Sequence, residues 1–135
     1  MAEALPGSRA RPLSPHLLAW RWHVTLAASI LHRLTGAATY LGMFLIAGWA
    51  LALASGRAAY GDYMSLLGSI PGKIVLFAMT MALFFHLAAG VRHLAWDMGV
   101  GFPPRTANAT AWGAMAFAAI ATVTVWVVAA MTGAL

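Results

Sequence analysis

Three long stretches of this sequence carry no charged residue: Leu34 to Ala54, Ile74 to Val91, and a third lying within Thr106 to Leu135. A helix rises about 1.5 Å per residue, so roughly 20 predominantly apolar residues cross the ~30 Å hydrocarbon core of a bilayer. The second stretch is the shortest, but Lys73 and Arg92 stand at its ends, where long side-chain stems carry charge out to the headgroups. Any one such run also fits a buried core helix. Three of them in 135 residues leave no soluble remainder to cover them. The chain is therefore read as all-α and integral to a membrane. Its three transmembrane helices form an antiparallel bundle, with spans at about 30–54, 73–93 and 108–132.

Composition agrees with lipid as the solvent, since 62% of residues are hydrophobic and only 8% charged, outside the usual range of soluble domains. The chain has no cysteine, which excludes a disulfide framework, a cysteine-bound zinc or iron-sulfur centre and a cysteine nucleophile. A net charge of +5 is compatible with nucleic-acid binding, but the basic residues are scattered and mostly flank apolar runs. They read as topology signals, and no nucleic-acid partner is expected. Arg9, Arg11, Arg21 and Arg33 precede the first span and Arg92 and Arg105 lie between the second and third, against Arg57 and Lys73 on the other face. The positive-inside tendency then puts the N-terminus on the cytoplasmic side, or the matrix side of a mitochondrion.

Residues 1–22 are expected to form an N-terminal arm, held extended by Pro6, Pro12 and Pro15, ahead of a membrane anchor domain at 23–135. The arm lacks the early apolar core and small-residue cleavage site of a secretory signal, and it shows no long amphipathic presequence. A bacterial inner membrane is thus favoured over an organelle import precursor. Ser55 to Gly72, with its glycines, serines and Pro71, is expected to be an interfacial loop. The second connection, Arg92 to Arg105, holds Asp97, two glycines and Pro103-Pro104, which must end the second helix. Phosphate loops, zincin motifs, nucleophile triads and EF-hands are absent, and no inverted repeat or broken helix suggests a transporter.

His86 is the residue most in need of explanation. It sits six positions inside Arg92, about 9 Å below the interface, and an ionisable residue at such depth normally faces a bundle interior or a cofactor. A neutral imidazole is a good axial ligand for haem iron. A histidine hydrogen-bonded across the bundle, or serving a proton path, is the alternative. Gly90 and His93 follow at i+4 and i+7 on the same helical face, Gly90 leaving room for a flat macrocycle or a close helix, and Asp97 extends the stripe if the helix lasts that far. Ser29, Arg33 and Gly36 are spaced in the same way at the start of the first span, with His32 adjacent. Singly, Arg33 and Arg92 are snorkelling flank residues; beside His32 and His93 they form a cationic cluster toward which haem propionates could point. Ser29 could bond to its own backbone or donate to a quinone carbonyl. Trp20, Trp22 and Trp96 suit interfacial anchoring, and the methionines suit packing.

Three strings carry a resemblance: Arg11-Pro12-Leu13-Ser14-Pro15-His16-Leu17, then Ser29-Ile30-Leu31-His32-Arg33-Leu34-Thr35-Gly36, then His86 with Gly90-Val91-Arg92-His93-Leu94-Ala95-Trp96-Asp97-Met98-Gly99. In order, spacing and helix count they resemble the cytochrome b556 subunits of succinate dehydrogenase. The resemblance implies a complex in which a flavoprotein subunit oxidises succinate, an iron-sulfur subunit relays electrons, and two small membrane chains hold haem b and ubiquinone. It implies His86 as one axial ligand of the haem iron, with the other from the second membrane anchor. It implies His32 and Arg33, and more weakly His93, near the haem propionates, and Ser29 and Arg33 at the quinone. The chain would be a non-catalytic subunit of a succinate:quinone oxidoreductase. A purely structural anchor for a soluble dehydrogenase, or a fumarate reductase-type anchor, would share the architecture.

Overall fold

The computed structural model describes residues 21–134, so most of the expected N-terminal arm, with Arg9, Arg11 and the Arg11–Leu17 string, lies outside the described residues. Within them the chain is entirely helical: α1 (Val24–Ala54), α2 (Arg57–Gly68), α3 (Ile70–Asp97) and α4 (Pro104–Met131). Helices α1, α3 and α4 are each long and apolar enough to cross a membrane, as the three uncharged stretches predict. Helix α3 is central, packed on α4 along one side and on α1 along the other, while α4 also touches α1.

The core that joins them is small. Ala28, Phe85, Ala89, Ala111, Ala114 and Ala118 are buried, so five of the six side chains at the centre are single methyl groups. Between helices in lipid there is little hydrophobic gain, because acyl chains are as apolar as leucine. Close backbone approach over small residues supplies the packing instead. The large apolar side chains, among them Phe44, Ile46, Leu83, Leu87, Trp112 and Ile120, are exposed on the outer faces.

Helix α1 begins at Val24, ahead of the uncharged stretch, and takes Ser29, His32 and Arg33 into the helix. Polar residues near the membrane edge need not stop a helix, since a backbone leaving water keeps every N–H and C=O paired within itself. The segment expected as a loop is largely helix α2. Its Tyr60, Tyr63 and Leu67 are partly buried at i, i+3 and i+7, while Arg57, Asp62 and Ser65 are exposed, so its glycines and polar residues belong to an amphipathic face. The Tyr63 hydroxyl donates to the Leu45 carbonyl of α1 at 2.7 Å. Gly48 makes room for that ring, for a Cβ there would lie 3.1 Å from the hydroxyl. At the next corner Ser69 caps α3, its hydroxyl accepting from the Gly72 amide at 3.2 Å.

Helix α3 runs past the expected span end at 93 to Asp97 and stops within the Arg92–Arg105 connection. Gly99 adopts a φ of 81°, its amide donates to the Trp96 carbonyl at 2.8 Å, and that of Val100 donates to Ala95 at 3.0 Å. These two bonds define a Schellman cap that glycine completes without Cβ strain. Pro104, whose missing N–H costs nothing in a first turn, then starts α4. The α3–α4 corner and the start of α1 therefore share one end of the bundle, and α2 lies at the other.

Candidate functional site

At the shared end, α1 and α3 bring three histidines together. The seven-residue spacing of His86 and His93 separates them by about 10.5 Å along α3, room for one ring between two others. His32 of α1 fills it, its ring centroid 4.4 Å from that of His86 and 4.7 Å from that of His93, with planes inclined by 21° in both cases. Stacked imidazoles do not chelate, because nitrogen lone pairs lie in the ring planes and nearly parallel planes do not converge on one ion. Consistent with this, no group of three or more potential ligand side chains able to hold a metal is found among the described residues.

Each ring has a distinct polar setting. His86 Nδ1 lies 3.2 Å from the backbone carbonyl oxygen of His32 and 3.5 Å from the Thr35 hydroxyl. A carbonyl only accepts, and the Thr35 hydroxyl already donates to the Leu31 carbonyl at 2.7 Å, so the proton of a neutral His86 sits on Nδ1. Its Nε2 is left with a free lone pair. His93 repeats the pattern within its own helix, Nδ1 standing 2.8 Å from the Ala89 carbonyl. The Nε2 of His32 is buried without a hydrogen-bond partner among the described residues, closed in between the other two rings.

The close approach of His86 to α1 depends on Gly36, where a Cβ would come within 3.0 Å of His86 Cε1. Gly90 has the opposite setting: a Cβ there would meet nothing within 4 Å, so the face of α3 one turn beyond His86 is open. Ser29 is partly buried one turn before Arg33, which is exposed, and neither side chain has a polar partner among the described residues. Asp97 is the last residue of α3 and also exposed. The structure thus groups His32, His86 and His93 directly and puts Ser29 and Arg33 on the same stretch of α1.

Arg92 is directed elsewhere. It is only 7% exposed; its Nε donates to the Thr110 hydroxyl and a terminal nitrogen to the Ala107 carbonyl, both at 3.0 Å and both on α4. Its guanidinium carbon sits 4.0 Å from the centroid of the Trp96 ring. Six residues turn a helix by ~240° beyond one revolution, so Arg92 and His86 cannot share a face. The spacing held that signal. The contributions of Thr35 and Gly36 to the His86 seat were not legible, because they depend on the rotation of α1 against α3.

The family described as succinate dehydrogenase/fumarate reductase transmembrane subunit matches residues 7–131. The succinate dehydrogenase cytochrome b556 subunit of Rickettsia felis is 35% identical over 118 residues, 87% of this chain and 91% of the relative. That of Paracoccus denitrificans is 39% identical over 101 residues, 75% of this chain and 76% of the relative. This chain belongs to the succinate dehydrogenase/fumarate reductase transmembrane subunit family. The mitochondrial succinate dehydrogenase cytochrome b560 subunit of Homo sapiens is also similar, 39% identical over 93 residues, 67% of this chain and 55% of the relative. As a membrane anchor subunit of this family, the chain is a multi-pass membrane protein, and its histidine stack lies within the matched region.

Proposed function

We propose that this subunit co-ligates haem b through His86 Nε2, forms part of a ubiquinone site with Ser29 and Arg33, and helps pass electrons from an iron-sulfur subunit to quinone. The observation that carries the reading is the contact between His86 Nδ1 and the His32 carbonyl. Metal-ligating histidines characteristically donate their other ring N–H to a carbonyl or carboxylate, which fixes tautomer and ring orientation and raises ligand basicity. The open face over Gly90 leaves space for a flat group beside that ring. Haem b, if held at His86, would supply a one-electron transfer centre. The rings of His32 and His93 are stacked rather than convergent with His86, which supports a second ligand from a companion membrane anchor, as the family resemblance implies.

Arg33 offers an exposed guanidinium near the membrane edge, suited to a propionate or a quinone carbonyl, where ion pairing costs least. His32 and His93 border the same site, His32 Nε2 having no hydrogen-bond partner among the described residues. The Ser29 hydroxyl, free of any helix carbonyl, can donate to quinone oxygen. In this reading a flavoprotein subunit, an iron-sulfur subunit and a second anchor complete a succinate:quinone oxidoreductase, and the N-terminus faces the cytoplasm across a bacterial inner membrane.

The test is the reduced-minus-oxidised optical spectrum of the purified complex. His86→Ala is expected to abolish the b-type absorption or replace it with a five-coordinate signature. A b-type spectrum left unchanged would overturn the haem assignment and reduce the chain to a structural anchor.

A further inference from the structure

Arg92 presents a charge problem that its own helices do not solve. The guanidinium is buried, and its partners are a hydroxyl, a backbone carbonyl and the face of Trp96, none of them anionic. Asp97, five residues further on, is turned ~140° around α3 and exposed at its end. Neutral hydrogen bonds and one cation-π contact reduce the cost of a charge out of water, but among the described residues they leave it without a counter-charge.

Beside this guanidinium lies a cavity of about 580 Å³ between α3 and α4, within the roughly 300–1,000 Å³ range of sites that hold organic ligands. Arg92, Trp96 and Thr110 line one part of it, and Leu87, Val91, Gly113 and Phe117 line the rest. Along α4 it extends ~10 Å inward from Thr110 to Phe117. A single cation at the membrane-edge end of an apolar groove matches a molecule with an anionic head and a hydrocarbon tail. Arg105, exposed in the first turn of α4, adds a second positive charge at that end. The six-residue spacing also removes this groove from the His86 face, so it is distinct from the proposed haem and quinone site.

We propose that the α3–α4 groove binds an anionic glycerophospholipid, its phosphate diester against Arg92 and an acyl chain along the apolar floor. Basic pockets between transmembrane helices on the cytoplasmic or matrix side are suited to such headgroups. The lipid supplies the counter-charge that the described residues lack and fills space between two helices whose contact is built largely from alanine.

The test uses the assembled complex. After detergent delipidation it is equilibrated with vesicles of equal parts phosphatidylglycerol and phosphatidylcholine, re-purified, and its bound phospholipid counted by mass spectrometry. The wild type should retain phosphatidylglycerol about fivefold over phosphatidylcholine, the preference expected of one interfacial arginine. Arg92→Gln should remove that preference. Gly113→Leu should lower the total lipid retained without touching the guanidinium, since a Cβ at Gly113 meets nothing within 4 Å and the added side chain enters the groove. Equal retention of both lipids by the wild type, or undiminished lipid in Gly113→Leu, overturns the proposal. Loss of the companion membrane chain from Gly113→Leu also overturns it, by making the groove a seat for protein.

Discussion

The imidazole of His86 is anchored to a backbone atom, the carbonyl oxygen of His32, which lies 3.2 Å from its Nδ1. No side-chain substitution at position 32 removes that acceptor. The orientation of His86 is therefore a property of how α1 sits against α3, and the residues controlling it are those that set the distance between the helices. Gly36 is foremost, because the histidine ring occupies the space its Cβ would take.

Gly36→Ala should accordingly alter the haem signal more than the haem content. A methyl group 3.0 Å from His86 Cε1 requires a shift of a few tenths of an ångström, and overpacking of this kind costs typically ~1–3 kcal/mol. The expected result is a near-stoichiometric haem with displaced absorption maxima or altered electron paramagnetic resonance g-values. Gly36→Val should lower the haem-to-protein ratio. Spectra of Gly36→Ala indistinguishable from wild type would show that His86 does not depend on this seat.

Ser29→Ala and Arg33→Ala should separate two activities of the complex. Ubiquinone reduction should fall, by about tenfold or more for Arg33→Ala if a charge-assisted hydrogen bond of ~1.5–3 kcal/mol is lost, while succinate oxidation with an artificial acceptor is retained. Arg33→Lys should recover part of the loss, keeping charge without the bidentate fork. Parallel losses in both assays would argue for an assembly defect rather than a quinone contact.

The spanning helices were legible because each leaves a long uncharged run, and the end of α3 because Gly99 and Pro103-Pro104 admit few alternatives. Helix α2 was obscured by Gly61, Ser65 and Gly68, which resemble turn residues until Tyr60, Tyr63 and Leu67 are seen to face the bundle. Periodicity placed His86 and His93 on one face, yet it could not reveal that His32 is inserted between them. That arrangement depends on the register of two helices separated by more than 50 positions in sequence. Proximity in sequence groups Arg92 with the histidines, whereas the helical turn directs it to α4.

Tyr63→Phe isolates what holds α2 at the membrane edge. It removes one hydrogen bond, from the Tyr63 hydroxyl to the Leu45 carbonyl at 2.7 Å, and leaves the ring beside Gly48. A loss of ~1 kcal/mol is expected. Since the carbonyl also serves its own helix, the effect should be local, seen as faster amide exchange in residues 57–68 with α1 and α3 unchanged. Unaltered exchange in α2 would assign its position to apolar packing alone.

Arg92→Ala should separate helix packing from the histidine site. The guanidinium joins α3 to α4 through Thr110 and Ala107, so its removal forfeits two charge-assisted bonds and the stacking on Trp96. Loss of ~2–4 kcal/mol is expected, read as a lowered thermal midpoint of the complex. Arg92→Lys should restore little, because one ammonium cannot reach both acceptors with the geometry of a planar fork. Thr110→Val, which keeps shape and removes one acceptor, should cost less than half as much. Throughout this series the haem absorption per folded complex should be unchanged, since Arg92 projects away from His86. If Arg92→Ala instead shifts the absorption maxima at constant stability, the guanidinium acts on the haem, and the grouping suggested by sequence proximity is the correct one.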